Sequence, residues 1–303
     1  MMFVDIFGAP TSLGTKKNGT DMGPDAIRYA GLCREIELLG REYINNGNIA
    51  VPKIDTSSAK YEDVISGINQ VNAALYENIS RSIESGRLPL TLGGDHSMAI
   101  GTALGAQKAH GNIGVLWVDA HCDCNTLNTT VTGNIHGMSL AAITGCAEST
   151  ITPFKDDNVA YIDPKKCVVV GYREVDELEL EVVNRCGITV FNMADVDMIG
   201  IKGIMDKALS IVTDGTQGFH LSFDMDAVTP EEAPGVGTPK RGGFTFRESH
   251  LIVEMISDTD GLCSFDFAET NPILDVKNKT AELAVSLISA VLGKRFTSPL
   301  IKK

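Results

Sequence analysis

The stretch Ile113-Gly114-Val115-Leu116-Trp117-Val118 runs without a polar break into Asp119-Ala120-His121-Cys122-Asp123. An unbroken apolar run of this length, ending abruptly in charged residues, reads as a strand buried on both faces with a functional tip. Comparable runs recur on either side, at residues 4–7, 49–52, 88–92, 167–170, 188–191, 219–223 and 262–267. Helical patterns lie between them, at residues 61–84, 195–212, 247–257 and 280–292. The last carries the apolar spacing of a packed helix at Leu283, Val285, Leu287, Ile288 and Val291. Strand then helix, repeated, predicts an α/β fold of parallel strands joined by right-handed crossovers. The pattern alone fits either an open doubly wound sheet or a closed eight-stranded barrel. Both place their chemistry at the carboxyl ends of the strands.

No internal repeat, low-complexity tract or linker interrupts the 303 residues, so one domain over residues 1–303 is expected. The Gly/Pro-rich stretch 234–239 reads as a long functional loop. A formal charge of -13 argues against nucleic acid as a partner, because phosphate binding needs a basic surplus. The amino terminus reads as a strand and not as a signal peptide, and no apolar run approaches a membrane span. Seven scattered cysteines suit a reducing compartment better than a disulfide framework, and a cytoplasmic protein is expected.

Three predicted strands end in metal-ligand residue types. They lead into Gly93-Gly94-Asp95-His96-Ser97, into Asp119-Ala120-His121-Cys122-Asp123, and into Asp224-Met225-Asp226. In an extended segment every second side chain shares a face, so Asp119, His121 and Asp123 can converge while Ala120, Cys122 and Cys124 turn away. Asp224 and Asp226 have the same spacing. A lone Asp at a strand end is usually a turn former, but carboxylates gathered this closely repel unless cations neutralise them. His96 and His121 with Asp119, Asp123, Asp224 and Asp226 offer four negative charges, which two divalent cations cancel. Oxygen-rich donors with two imidazoles suit Mn²⁺, whereas structural zinc favours thiolates, and Cys122 and Cys124 form a C-x-C with no second pair.

The segments 93–97, 119–123 and Ser222-Phe223-Asp224-Met225-Asp226 resemble the three metal motifs of the ureohydrolase family, which includes arginases, agmatinases and formimidoylglutamases. The resemblance runs from Gly8-Ala9-Pro10 through Gly23-Pro24 to Glu269-Thr270-Asn271-Pro272. It implies a three-layer α/β/α domain with a mainly parallel eight-stranded sheet. It also implies two Mn²⁺ ions per subunit. His96, Asp119, Asp123 and Asp224 would hold one, and His121, Asp119, Asp224 and Asp226 the other, with Asp119 and Asp224 shared.

Residues 125–137 resemble the arginase form of a loop whose amides and hydroxyls contact the substrate α-carboxylate. The contributors implied are Asn125, Thr130, Thr132 and Asn134, neutral donors suited to a carboxylate. Residues 171–179 resemble the segment whose Asp meets the α-ammonium, here Asp176, with Glu179 behind it. Agmatine has no carboxylate to use the Asn/Thr set. The resemblance, strongest to the bacterial members, therefore implies hydrolysis of L-arginine to L-ornithine and urea by a metal-bridging hydroxide. Glu269 would grip the guanidinium, Asp123 would pass a proton to the leaving amine, and His136 would shuttle protons. Two positions depart from the family pattern: Thr132, commonly Ser, and Leu127, often Pro. A homo-oligomer, hexamer or trimer, is implied as well. His110, His220 and His250 match no motif and read as structural or surface residues, while Asp95 and Asp266 are candidates to orient ligands. The competing readings are agmatinase or guanidinobutyrase, a two-metal phosphoesterase, and a non-catalytic metal-binding regulator.

Overall fold

A computed structural model describes residues 3–152 and 160–296, so the amino-terminal reading at Met1 and Met2 lies outside the described residues. Strand β4 (Gly114–Val118) shows why its run has no polar break. Val115 and Trp117 point into one apolar core, and Leu116 and Val118 into another on the opposite face. Strand β5 (Cys167–Tyr172) divides the same way, with Cys167 and Val169 on one side and Val168 and Val170 on the other. The remaining strands are β1 (Phe3–Ala9), β2 (Glu42–Asn48), β3 (Leu88–Gly93), β6 (Thr189–Asn192), β7 (Phe219–Asp224) and β8 (Leu262–Ala268). All strand pairings are parallel, in one eight-stranded sheet of order β2-β1-β3-β8-β7-β4-β5-β6. The sheet is open, with β2 and β6 at its edges, and the barrel alternative is excluded.

Helices cover both faces. On one lie α1 (Gly23–Tyr29), α2 (Leu32–Leu38), α7 (Met193–Ile199), α8 (Ile201–Thr213), α9 (Phe246–Ser257) and α10 (Lys279–Val291). On the other lie α3 (Tyr61–Glu84), α4 (Ala99–His110), α5 (Ser139–Ile143) and α6 (Glu177–Cys186). Among the described residues, no helix is long and apolar enough to cross a membrane.

Helix α3 buries Val64, Ile68, Val71, Leu75 and Ile79, a stripe of i+3 and i+4 spacing. It packs closely on α4 because Gly101 and Gly105 sit against the backbone of Asn72 and Tyr76, where a Cβ would collide with carbonyl oxygens. Buried Asn72 ties the two together, donating to the Ser97 carbonyl at 3.0 Å and accepting from the Gly101 amide at 2.8 Å. This contact anchors the turn that carries His96. Gly94, just before that turn, admits no side chain, since a Cβ would fall on the Thr11 carbonyl oxygen.

Two elements differ from expectation. The second strand is Glu42–Asn48 and not residues 49–52, because an edge strand pairing only with β1 needs no continuous apolar run. The helix expected over 195–212 is two helices, broken at Gly200, whose φ of 80° and ψ of 152° end α7 and start α8. Cys146 and Cys186, 40 residues apart in sequence, are joined in a disulfide, while Cys33, Cys122, Cys124, Cys167 and Cys263 are free. The pair lies where the chain after α5 meets the end of α6, a single cross-link that the scattered cysteine spacing did not indicate.

Candidate metal centre

Four adjacent central strands, β3, β8, β7 and β4, bring their carboxyl ends together. Their tips carry His96, Glu269, then Asp224 with Asp226, then Asp119, His121 and Asp123. Of the three motif strands, β7 and β4 are immediate neighbours, but β8 lies between β3 and β7. That insertion places Glu269 beside His96.

The six predicted metal ligands converge. His96 Nδ1 lies 3.2 Å from Asp119 Oδ2, 3.0 Å from Asp123 Oδ2 and 3.1 Å from Asp224 Oδ2. His121 Nδ1 lies 3.1 Å from Asp226 Oδ2 and 3.4 Å from Asp119 Oδ1. Two groups able to hold an ion result, His96–Asp119–Asp123 and Asp119–His121–Asp226, and Asp119 belongs to both. The route differs from simple strand alternation. The chain bends after Val118, and Asp123 reaches the centre from a left-handed backbone, φ 49°. Asp224 ends β7 and its Oδ1 accepts from the Asp226 amide at 2.7 Å, turning Asp226 into the cluster through a short 3₁₀ turn. Cys122 and Cys124 point away into the core, as expected.

A cavity of about 220 Å³ opens above the cluster, lined by His121, Asp123, Asp224 and Asp226 below and by two loops above. Every predicted substrate residue lines it: Asn125, Thr130, Thr132, Asn134, Asp176 and Glu179, together with His136. Thr130 and Thr132 each accept a backbone amide, from Gly133 at 3.0 Å and Asn134 at 3.1 Å, so their hydroxyl hydrogens stay free to donate. Asn125 Oδ1 accepts from Thr129 at 2.9 Å, leaving the nitrogen as the donor end of the amide. Glu179 serves mainly as a tie: Oε1 accepts from the Cys124 amide at 2.9 Å, and Oε2 from the Asp176 amide at 3.4 Å. Burial pushes its carboxyl up to about 7.

Residues 3–293 match the family described as the Arginase family. An arginase of Brevibacillus brevis is 42% identical over 300 residues, covering 96% of this chain and 98% of the relative. The native structure of the Bacillus caldovelox arginase is 38% identical with a TM-score of 0.92, covering 98% of this chain and 100% of that one. An Entamoeba histolytica arginase structure in complex with L-ornithine is 29% identical with a TM-score of 0.87, covering 97% and 100%. The chain belongs to the arginase family.

The arginase family implies a binuclear metal site, and the residues present fit one. His96 Nδ1 is buried with no hydrogen-bond partner, facing three carboxylate oxygens about 3 Å away. A small cation bound at about 2.0–2.1 Å in octahedral geometry separates neighbouring donors by about 3 Å. The electrostatics agree. Burial and the neighbouring Asp119 charge push Asp123 up to about 6. Burial, with Asp226 and Asp119 close by, raises Asp224 well above the carboxylate range. Burial would raise Asp119 too, but the His121 and His96 imidazoles outweigh it and hold Asp119 low. Carboxylates that raise one another in this way gain from a cation between them.

Glu269 sits below the cavity floor, 1% exposed, with φ at 65°, a conformation rare for a side chain of its size. Its Oε1 accepts from the His96 amide at 2.9 Å and lies 2.8 Å from His136 Nδ1, while Oε2 is buried without a partner. Burial works to lower His136, but Glu269, then Asp123 and Asp95, outweigh it and bring the imidazole up to about 9.

Several contributors carried no sequence signal. Glu174 Oε2 is 3.1 Å from His121 Nε2 and its other oxygen pairs with Lys240. Thr238, from the predicted Gly/Pro loop, donates to Asp226 Oδ2 at 2.8 Å. Arg173 spans the carbonyls of Asp226, Ala227 and Lys240, clamping the two loops beside the centre. Glu148 holds the cavity loop, accepting from the Leu127 amide at 3.0 Å and from Asn128 Nδ2 at 2.7 Å. Proline at position 127 has no N–H to give that bond, so Leu127 exchanges ring rigidity for a tether. Asp95 caps the His96 turn, accepting from Ser97 and Gly14 amides at 3.0 and 3.1 Å. His250, between the Phe246 carbonyl and Ser286, lies away from the centre, as expected.

Proposed function

We propose that this chain is a manganese-dependent hydrolase that converts L-arginine to L-ornithine and urea. The observation that carries the reading is a division of labour around one cavity. Neutral donors Asn125, Thr130, Thr132 and Asn134 line one side, Asp176 stands in the second loop, and His121, Asp123, Asp224 and Asp226 form the floor, with Glu269 buried beside His96. An α-amino acid with a guanidinium at its far end matches this order of groups. The carboxylate takes the amides and hydroxyls, the ammonium takes Asp176, and the guanidinium takes the partnerless Glu269 oxygen.

His96, Asp119, Asp123 and Asp224 would hold one ion; His121, Asp119, Asp224 and Asp226 would hold the other. When bound, two divalent cations supply the Lewis acidity that makes water nucleophilic at neutral pH. The oxygen-rich donor set with two imidazoles favours manganese. Guanidinium is resonance-stabilised and always protonated, so it needs positioning as much as activation. Glu269 orients its carbon over the cluster. Asp123, at the cavity floor, is placed to hand a proton to the departing amine. His136 holds one proton at Nδ1 against Glu269, which leaves its other ring nitrogen, Nε2, to take up and release a proton.

Urea release from arginine and from agmatine tests the assignment. Agmatine has no carboxylate and so offers nothing to the Asn/Thr donors, although it keeps the ammonium that meets Asp176. Each charge-assisted hydrogen bond lost is worth about 1.5–3 kcal/mol, so kcat/KM for agmatine is expected to be roughly 10²-fold lower or less still. Equal turnover of the two substrates would refute the arginine assignment and favour another ureohydrolase. We extend the reading to a cytoplasmic homo-oligomer, trimer or hexamer, supported by the likeness to bacterial arginases. Light scattering that returned a monomer mass would remove the oligomeric part.

A further inference from the structure

His96 has two ring nitrogens with opposite surroundings. Nδ1 faces Asp119, Asp123 and Asp224, and Nε2 turns away from the cluster, 2.8 Å from Ser222 Oγ. Ser222 Oγ in turn lies 2.6 Å from Asp266 Oδ1. A hydroxyl has a single hydrogen, and an ionised carboxylate only accepts. Ser222 therefore donates to Asp266, and its lone pair receives the hydrogen on His96 Nε2. With that nitrogen protonated, the lone pair of the neutral imidazole is at Nδ1, facing the carboxylates.

The chain of contacts continues behind Asp266. Its Oδ2 accepts from Thr102 Oγ1 at 2.5 Å and lies 3.0 Å from His220 Nε2, and His220 Nδ1 lies 2.7 Å from Ser264 Oγ. Ser222, Asp266 and His220 are 0% exposed, and Thr102 and Ser264 are each 1% exposed. None of them lines the cavity. A polar network in so dry a setting is costly unless every member is paired, and here each has a partner. The imidazole of His121 is held quite differently, its Nε2 meeting a half-exposed Glu174.

We propose that Ser222 and Asp266, backed by His220, are positioning residues that fix the His96 tautomer and set the cation affinity of the His96 position separately from that of the His121 position. His220 thereby has a role that its lack of a sequence motif concealed. The inference rests on the binuclear reading of the centre. Neither Ser222 nor Asp266 touches substrate, so the device acts only through His96. Replacing Asp266 by Asn is the sharper disruption. An amide NH₂ facing Ser222 reverses the hydroxyl, which then presents its hydrogen to Nε2 and forces the proton onto Nδ1. Ser222→Ala merely deletes the link and leaves the tautomer free.

The test is titration of metal-stripped protein with Mn²⁺, following free ion by electron paramagnetic resonance, with thermal melting of each metal-free chain alongside. The unchanged chain is expected to take up two ions. In Ser222→Ala one of the two is expected to bind about 10–100-fold more weakly, with the other unchanged, and metal-free melting is expected to fall because His96 Nε2 and Asp266 Oδ1 lose a buried partner. Asp266→Asn is expected to lose at least as much at that one position. With its NH₂ toward Ser222 the amide keeps its oxygen on Thr102 and His220, so an Asp266→Asn chain that melts well below Ser222→Ala marks the opposite orientation and leaves Ser222→Ala to decide. Identical titration of Ser222→Ala and the original, or equal weakening of both ions, would overturn the inference while leaving the hydrolase reading intact. Fewer than two ions on the unchanged chain would overturn the binuclear reading and this inference with it.

Discussion

Replacing Asp119 by Asn is expected to empty both cation positions at once, and urea release should fall by roughly 10³–10⁴-fold, the several kcal/mol that metal Lewis acidity contributes. Asp119 is common to both groups, with Oδ2 toward His96 and Oδ1 toward His121. Its two oxygens are also both committed as acceptors. Oδ2 takes the Trp117 indole N–H at 2.9 Å and Oδ1 takes the His121 amide at 2.7 Å. An Asn side chain cannot satisfy both, because in either orientation its NH₂ meets another donor. The variant thus loses a charge and acquires a donor–donor conflict at the hub of the centre. Asp226→Asn makes the comparison, since Asp226 belongs only to the His121 group. It should retain one ion, whereas Asp119→Asn retains none. Metal content after equilibrium dialysis reads the difference directly, and an Asp119→Asn chain that still held two ions would defeat the proposed sharing.

What the sequence makes legible here follows from burial. Strands β3, β4 and β5 are covered on both faces, so their residues are almost all apolar and the runs stand out, whereas the equally buried β7 and β8 carry His220, Ser222, Ser264 and Asp266 among their apolar residues. Strand β2 is half solvated and reads Glu-Tyr-Ile-Asn-Asn-Gly-Asn, a composition that looks like a loop. The metal ligands are legible because each follows one of the buried runs within five residues, and local spacing suffices to gather them. Their supports are not, because they come from strand order and long separations. Ser222 and Asp266 are 44 positions apart, and they meet only because β7 lies beside β8. Glu269 approaches His96 across 173 positions for the same reason, since β8 pairs with β3. Hydrophobic pattern predicts that such strands exist but not which becomes whose neighbour. The resemblance to a family, and not periodicity, pointed to Glu269.

Glu269→Gln is expected to leave both ions in place and to lower kcat/KM for arginine by about 10²–10⁴-fold. That range is the roughly 3–5 kcal/mol cost of removing one partner of a buried charge pair. The geometry dictates how the amide must sit. Oε1 accepts from the His96 amide at 2.9 Å, so the Gln oxygen takes that place and its NH₂ takes the place of Oε2. Oε2 is the buried oxygen without a partner, and on the proposed reading it meets the guanidinium. The variant would present donors to donors exactly where attraction is needed. The backbone should tolerate the change. Its left-handed φ of 65° is held by the Glu269 amide donating to the Gly94 carbonyl at 2.9 Å, and Gln has the same Cβ and length. A further consequence separates the two ends of the substrate. Arginine and agmatine share the guanidinium, so Glu269→Gln should slow both alike and leave their ratio where it was. A change at Asn125, which serves the carboxylate that only arginine carries, should instead move that ratio. A Glu269→Gln chain with full metal content and activity within tenfold of the original would show that the guanidinium is gripped elsewhere.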